Sequence, residues 1–113
     1  IIILSLSIIS IDFASNFNAY NDWIWRQLSS PDTVLIDGRF RVCCFLTSLK
    51  YAKKGTKIIF DDYCNRPYYH LVENYIQKEE TYGRQCLFIV PDRKTINFKD
   101  LDKDIKNFRY VMD

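Results

Sequence analysis

A chain of 113 residues, 48% of them hydrophobic, is long enough for one domain with a core of its own, and residues 1–113 are read as that single domain. Its 16 Lys and Arg against 14 Asp and Glu leave a formal charge of +2, spread along the chain. That balance excludes the basic stripe which binding to nucleic acid or to an anionic membrane demands.

The chain opens on Ile rather than Met, so a domain incomplete at its N-terminus is among the expectations. The first run, IIILSLSII, is rich in β-branched residues and predicts a strand. It is shorter than the roughly 20 apolar residues a membrane span needs, and it lacks the basic lead and cleavage site of a signal peptide. Phe13, Phe17, Tyr20, Ile24 and Leu28 then recur at helical spacing, and Pro31 ends that helix. Trp23 and Trp25 cannot share its face. At least one ring should be exposed, as a surface for a partner, either a second copy in a homo-oligomer or a missing half-domain.

TVLID is apolar on both faces, the mark of a buried parallel strand. Phe40 to Ala52 predicts a helix that starts buried and ends in water, with Lys50, Lys53 and Lys54 near its C-terminal carbonyls and Gly55 as its cap. TKIIFDDY repeats the strand that stops on acid. NRPYYHLVENYIQKEE repeats the helix, with Asn65 as N-cap, Pro67 in the first turn, and Tyr68, Leu71, Val72, Tyr75 and Ile76 as its buried stripe. RQCLFIV is a further strand, and Phe98, Leu101, Ile105, Phe108 and Met112 predict an amphipathic terminal helix from Asn97. Strands alternating with helices over short connections imply an α/β fold: a mainly parallel, three-layer sheet with flanking helices.

In such a sheet, ligands bind at the carboxyl ends of the strands. Asp37 closes one strand there and Asp61 and Asp62 close the next, while Gly38 lets the backbone turn or a ligand approach. Arg39, Arg41 and Arg66 lie just beyond the same edge, with Tyr63 and His70 nearby. Two readings stand side by side: a binding site for a small-molecule ligand, or acids that cap helices and are neutralised by the arginines. The four cysteines, Cys43, Cys44, Cys64 and Cys86, form no CxxC pair and sit largely among apolar residues, which suits small hydrophobes in a reducing, cytoplasmic compartment. One histidine and no GxSxG argue against a hydrolase triad.

The stretch VLIDGRFRV, followed by FDDYCNRPYYHLVE, resembles the C-terminal half of class I S-adenosylmethionine-dependent methyltransferases, a Rossmann-like fold, and is similar to uncharacterised bacterial methyltransferase-like proteins over residues 32–90. The resemblance implies methyl transfer from S-adenosylmethionine to a small polar or sugar-like substrate. With the reading of the edge as a site, it makes Asp37 and Asp62 candidate catalytic residues, His70 either a general base or a surface or capping residue, and Arg39, Arg41, Tyr63 and Arg66 candidate substrate ligands. In the metal-dependent O-methyltransferases an acid and an acid–amide pair hold a divalent cation at matching places, which would make Asp37, Asp61 and Asp62 ligands of Mg²⁺. The chain departs from that pattern in two ways. The family's lysine after the first acid is absent, and the three glycines, Gly38, Gly55 and Gly83, leave no glycine-rich turn after the first strand. The alternative is a non-catalytic α/β domain that binds a ligand or a partner and lacks the cofactor-binding half.

Overall fold

The computed structural model describes residues 2–6, as backbone, together with 32–38, 40–109 and 111. The helix expected over Phe13–Leu28, Trp23, Trp25 and Arg39 lie outside them. The described elements are β1 (Ile2–Leu6), β2 (Thr33–Gly38), α1 (Arg41–Tyr51), β3 (Lys57–Phe60), a 3-10 helix (Pro67–Asn74), β4 (Glu80–Tyr82), β5 (Gln85–Ile89), a short 3-10 turn (Arg93–Thr95) and α2 (Phe98–Phe108).

The five strands form one sheet in the order β1-β2-β3-β5-β4. β1, β2 and β3 run parallel, as the TVLID and TKIIFDD segments predict. β5 runs antiparallel to both β3 and β4, so the sheet is mixed rather than mainly parallel. The reason is local. β4 and β5 are joined by a two-residue turn in which Gly83 takes a φ of 59°, and a tight hairpin reverses the chain where a crossover would keep its direction.

Register sets the core. Val34, Ile58 and Phe88 lie in one row across β2, β3 and β5, and Ile36, Phe60 and Cys86 in the next, all of them buried. The alternate residues Leu35, Ile59 and Leu87 face the other way and are half-buried. α1 covers the buried face: the Phe45 ring lies 4.8 Å from that of Phe88, edge-on, and 5.5 Å from that of Phe60. Tyr63 and Tyr69 extend the same aromatic cluster around Phe60. Every residue of α1 from Arg41 to Leu49 is buried. Its first turn has no acid and no side-chain cap, so packing, not capping, holds this helix. α2 packs against α1 through Leu101 and Ile105, with Asn97 capping its N-terminus through Asp100 N–H.

Three local expectations are corrected. α1 ends at Ala52 in an extended conformation, so Gly55 is not its cap; Gly55 takes a φ of 91° in the following turn, where its N–H bonds the Val90 carbonyl. The segment expected as a helix over 65–80 is 3-10 only from Pro67 to Asn74, and Glu80 already belongs to β4. With three residues per turn its inward row is Tyr69, Val72 and Tyr75, while Tyr68 is 48% exposed. The Asn65 side chain caps nothing here, because Arg66 holds the cap position and makes no side-chain cap bond. The second helical layer of a three-layer arrangement is not among the described residues, and none of the described helices is long and apolar enough to cross a membrane.

Candidate functional site

The C-terminal edge of the parallel strands is a place of unusual backbone. Gly38 has a φ of 93°, and Phe40 and Asp62, which are not glycine, have φ of 60° and 59°. A bulky residue in the left-handed region costs on the order of 1–3 kcal/mol and persists only where its surroundings enforce it. For Phe40 the enforcement is its fully buried ring and its carbonyl, which accepts the Cys44 N–H that starts α1.

For Asp62 it is a set of guanidinium groups. Arg41, only 8% exposed, donates from Nε to the Gly38 carbonyl at 2.8 Å and from Nη1 to the Asp61 carbonyl at 2.9 Å. The same Nη1 reaches Asp62 Oδ2 at 3.2 Å, and Nη2 lies 3.3 Å from Asp37 Oδ1. Arg84 approaches from the β4–β5 turn, with Nε 3.2 Å from Asp62 Oδ1 and 3.6 Å from Asp61 Oδ1. Arg66 stands further out, 3.8 Å from Asp62 Oδ2. Gln85 Nε2 donates to Asp61 Oδ1 at 3.3 Å, and the Cys64 N–H bonds the Arg84 carbonyl, so the turn is fastened to the strand ends by backbone as well as side chain.

The edge therefore does bring together Asp37, Arg41, Asp61, Asp62 and Arg66, but in different roles from those expected. Arg41 is corrected from a substrate ligand to an internal clamp, because its donors are spent on two strand ends and a buried planar fork is suited to such use. Tyr63 is corrected likewise. It is 1% exposed, its hydroxyl donates to Glu73 Oε2, and burial followed by the Glu73 carboxylate pushes its pKa far above the usual phenol value. The metal reading of Asp37, Asp61 and Asp62 also fails the fit. Guanidinium groups neutralise these acids, and among the described residues no group of three His, Cys, Asp or Glu side chains is placed to hold a metal ion.

His70 lies behind Tyr63, their rings 4.6 Å apart, with Nε2 3.0 Å from the Tyr63 carbonyl oxygen. A carbonyl only accepts, so Nε2 carries the hydrogen and Nδ1 of the neutral ring keeps a lone pair. Among the described charged side chains at the edge, Asp37, Arg66 and Arg84 remain open to solvent, at 47%, 50% and 68% exposure. The sequence reading missed Arg84 and Gln85. The Gly-Arg pair between two strand-forming runs signals a two-residue hairpin turn, but its place beside the acids follows from the pairing of β5 with β3.

A solved structure, that of a methyltransferase-like protein from Silicibacter pomeroyi DSS-3, matches this chain with a TM-score of 0.74 at 29% sequence identity. The fold is methyltransferase-like. The match covers 91% of this chain and 53% of the other, so the chain spans about half the length of that protein. No family model matches the chain, and a search of curated proteins finds no match.

Among the described residues of this edge, the Gly38 N–H is bonded to the Asp37 carboxylate at 2.8 Å.

Proposed function

We propose that the chain serves a methyltransferase-type protein, with the C-terminal edge of β2 and β3 presenting the groups that meet a small polar or sugar-like acceptor. The observation that carries this reading is the likeness, at 29% identity over nearly the whole chain, to a methyltransferase-like protein. Asp37, Arg66 and Arg84 are the exposed polar groups that would bind the acceptor's hydroxyls, and His70 Nδ1 is the lone pair that would take up a proton. Arg41 and Asp62 hold these loops in place. S-adenosylmethionine is proposed as cofactor on the likeness alone, and no chemical step is assigned to it.

A second reading has its own support. Acids neutralised by arginine and a glycine N–H already bonded are what a non-catalytic domain of this fold would keep, as a binding surface for a ligand or a partner. Isothermal titration with S-adenosylmethionine and with S-adenosylhomocysteine separates the two. Saturable heat from either supports methyl transfer, and its absence for both across the millimolar range leaves the binding domain.

A further inference from the structure

Two thiols meet where the loop after β3 crosses the start of β5. Cys64 N–H bonds the Arg84 carbonyl at 3.1 Å, and Cys64 Sγ lies 3.5 Å from the carbonyl oxygen of Gln85, the residue before Cys86. A planar trans peptide holds that oxygen about 2.8 Å from the next Cα. The Cys64 sulfur is therefore no more than about 6 Å from the Cys86 Cα. Disulfides span Cα separations of about 4.4–6.8 Å, the scale of this crossing.

The two residues also work on the same face of the sheet. Cys86 stands in the buried row with Phe60, and Tyr63, the chain neighbour of Cys64, packs its ring on Phe60 and Phe88 of that face at 5.3 and 5.2 Å. Each sulfur makes a weak contact, Cys64 with the Gln85 carbonyl and Cys86 with that of Leu87 at 3.9 Å, and a thiol gives up such contacts at little cost.

Their surroundings set an order of reaction. Cys64 is half-buried, whereas Cys86 is 1% exposed. Burial first, and the neighbouring Cys64 next, push the Cys86 pKa up to about 11, so it keeps its proton. A small oxidant arriving from solvent meets Cys64 first. Cys43 and Cys44 do not compete, because both are buried and adjacent residues on a helix do not face each other.

We propose that Cys64 and Cys86 form a peroxide-responsive pair that closes a disulfide between the loop after β3 and β5. The Cys64 thiolate attacks one oxygen of hydrogen peroxide; the S–O bond forms, the O–O bond breaks, and the released hydroxide takes a proton to leave as water. The Cys86 sulfur then attacks the Cys64 sulfur, the S–S bond forms as the S–O bond breaks, and the second hydroxide leaves as water with the Cys86 proton. Two thiols lose two electrons and two protons, and one peroxide becomes two waters. The bridge makes covalent the join that the Cys64 N–H and Gln85 Nε2 now hold by hydrogen bonds, and so fixes the loop of Asp61 and Asp62 to the hairpin of Arg84. The proposal holds whether or not this edge meets a methyl acceptor.

The test is titration of the full reduced chain with hydrogen peroxide, followed by peptide mapping without reductant. The expected result is a monomer lighter by two hydrogens, with Cys64 joined to Cys86, Cys43 and Cys44 still reduced, and full reversal by dithiothreitol. The oxidised chain should melt higher than the reduced one, since the bridge constrains the unfolded state. Cys86→Ala should leave Cys64 to stop at the sulfenic acid or pass to the sulfinic acid, and Cys64→Ser, altered at a half-buried position, should leave Cys86 unmodified at the same peroxide dose. A bridge between chains, a bridge that includes Cys43 or Cys44, or conversion of Cys64 to the sulfinic acid while Cys86 stays a thiol in the unsubstituted chain overturns the proposal.

Discussion

Arg41 Nη1 donates to the carbonyl oxygen of Asp61 at 2.9 Å while Nε of the same side chain donates to the carbonyl of Gly38, so one guanidinium ties the ends of β2 and β3 together. Both carbonyls close parallel strands that pair directly. What fixes the two loops relative to each other is thus a side chain from the first residue of α1, buried between them.

Arg41→Ala leaves Asp62 with one near guanidinium fewer and two carbonyls without their donor. Breaking a buried ion pair by removing one partner costs about 3–5 kcal/mol, and denaturant unfolding should show a loss of that order. Arg66→Ala removes a half-exposed partner at 3.8 Å and should cost no more than about 1 kcal/mol. Equal losses in the two variants would refute the clamp.

Mg²⁺ or Mn²⁺ should leave the melting temperature unchanged, because a metal that binds the native state must stabilise it by mass action and these acids already hold arginines. Asp62→Asn should lower the melting temperature with or without metal. A metal-dependent rise that Asp62→Asn abolishes would restore the cation site.

Alkaline pH should destabilise the fold through Tyr63 and Tyr75. Both phenols are raised above their ordinary value of 10.0, first by burial and then by the hydroxyl's bond to a carboxylate, Glu73 for Tyr63 and Asp104 for Tyr75. The folded state therefore holds the proton more tightly than the unfolded chain. That contribution is complete below about pH 10, where the unfolded phenol titrates, and is lost as pH rises through the higher folded value. Stability measured against urea at successive pH should fall above about pH 10, and Tyr63→Phe should flatten the fall.

Thiol labelling in the native state should modify Cys64 first. Its side chain is half-buried, whereas Cys43, Cys44 and Cys86 are buried. Burial also pushes the Cys86 pKa up to about 11, which starves it of thiolate. One fast equivalent per chain, lost in Cys64→Ala, is the expected count; fast labelling of Cys43 or Cys44 would contradict the packing of α1.

The parallel pairing of β2 with β3 was legible because TVLID and KIIF carry continuous apolar runs that end on acid. The terminal helix was legible because Phe98, Leu101, Ile105 and Phe108 keep one face and Asn97 caps it. The 3-10 helix was not. Tyr68 to Ile76 is so rich in apolar residues that periods of 3.0 and 3.6 both find a stripe, and only packing against Phe60 selects Tyr69 over Tyr68. The acids at the edge were also legible as a cluster, since strand ends predict where Asp37, Asp61 and Asp62 fall. Their partners were not: Arg84 arrives through a hairpin whose fold depends on the pairing of β5 with β3, a contact that no local spacing encodes.

That hairpin has a consequence for the order in which the molecule assembles. Cys64 N–H meets the Arg84 carbonyl across twenty residues, and Gln85 reaches Asp61 from a separation of 24. Closing such loops consumes chain entropy before any contact rewards it, so pairings of this span form late in folding while helical turns form early. The polar edge should therefore be among the last parts of the sheet to set. Substitutions at Arg84 would then speed unfolding far more than they slow folding, as expected for contacts absent from the transition state.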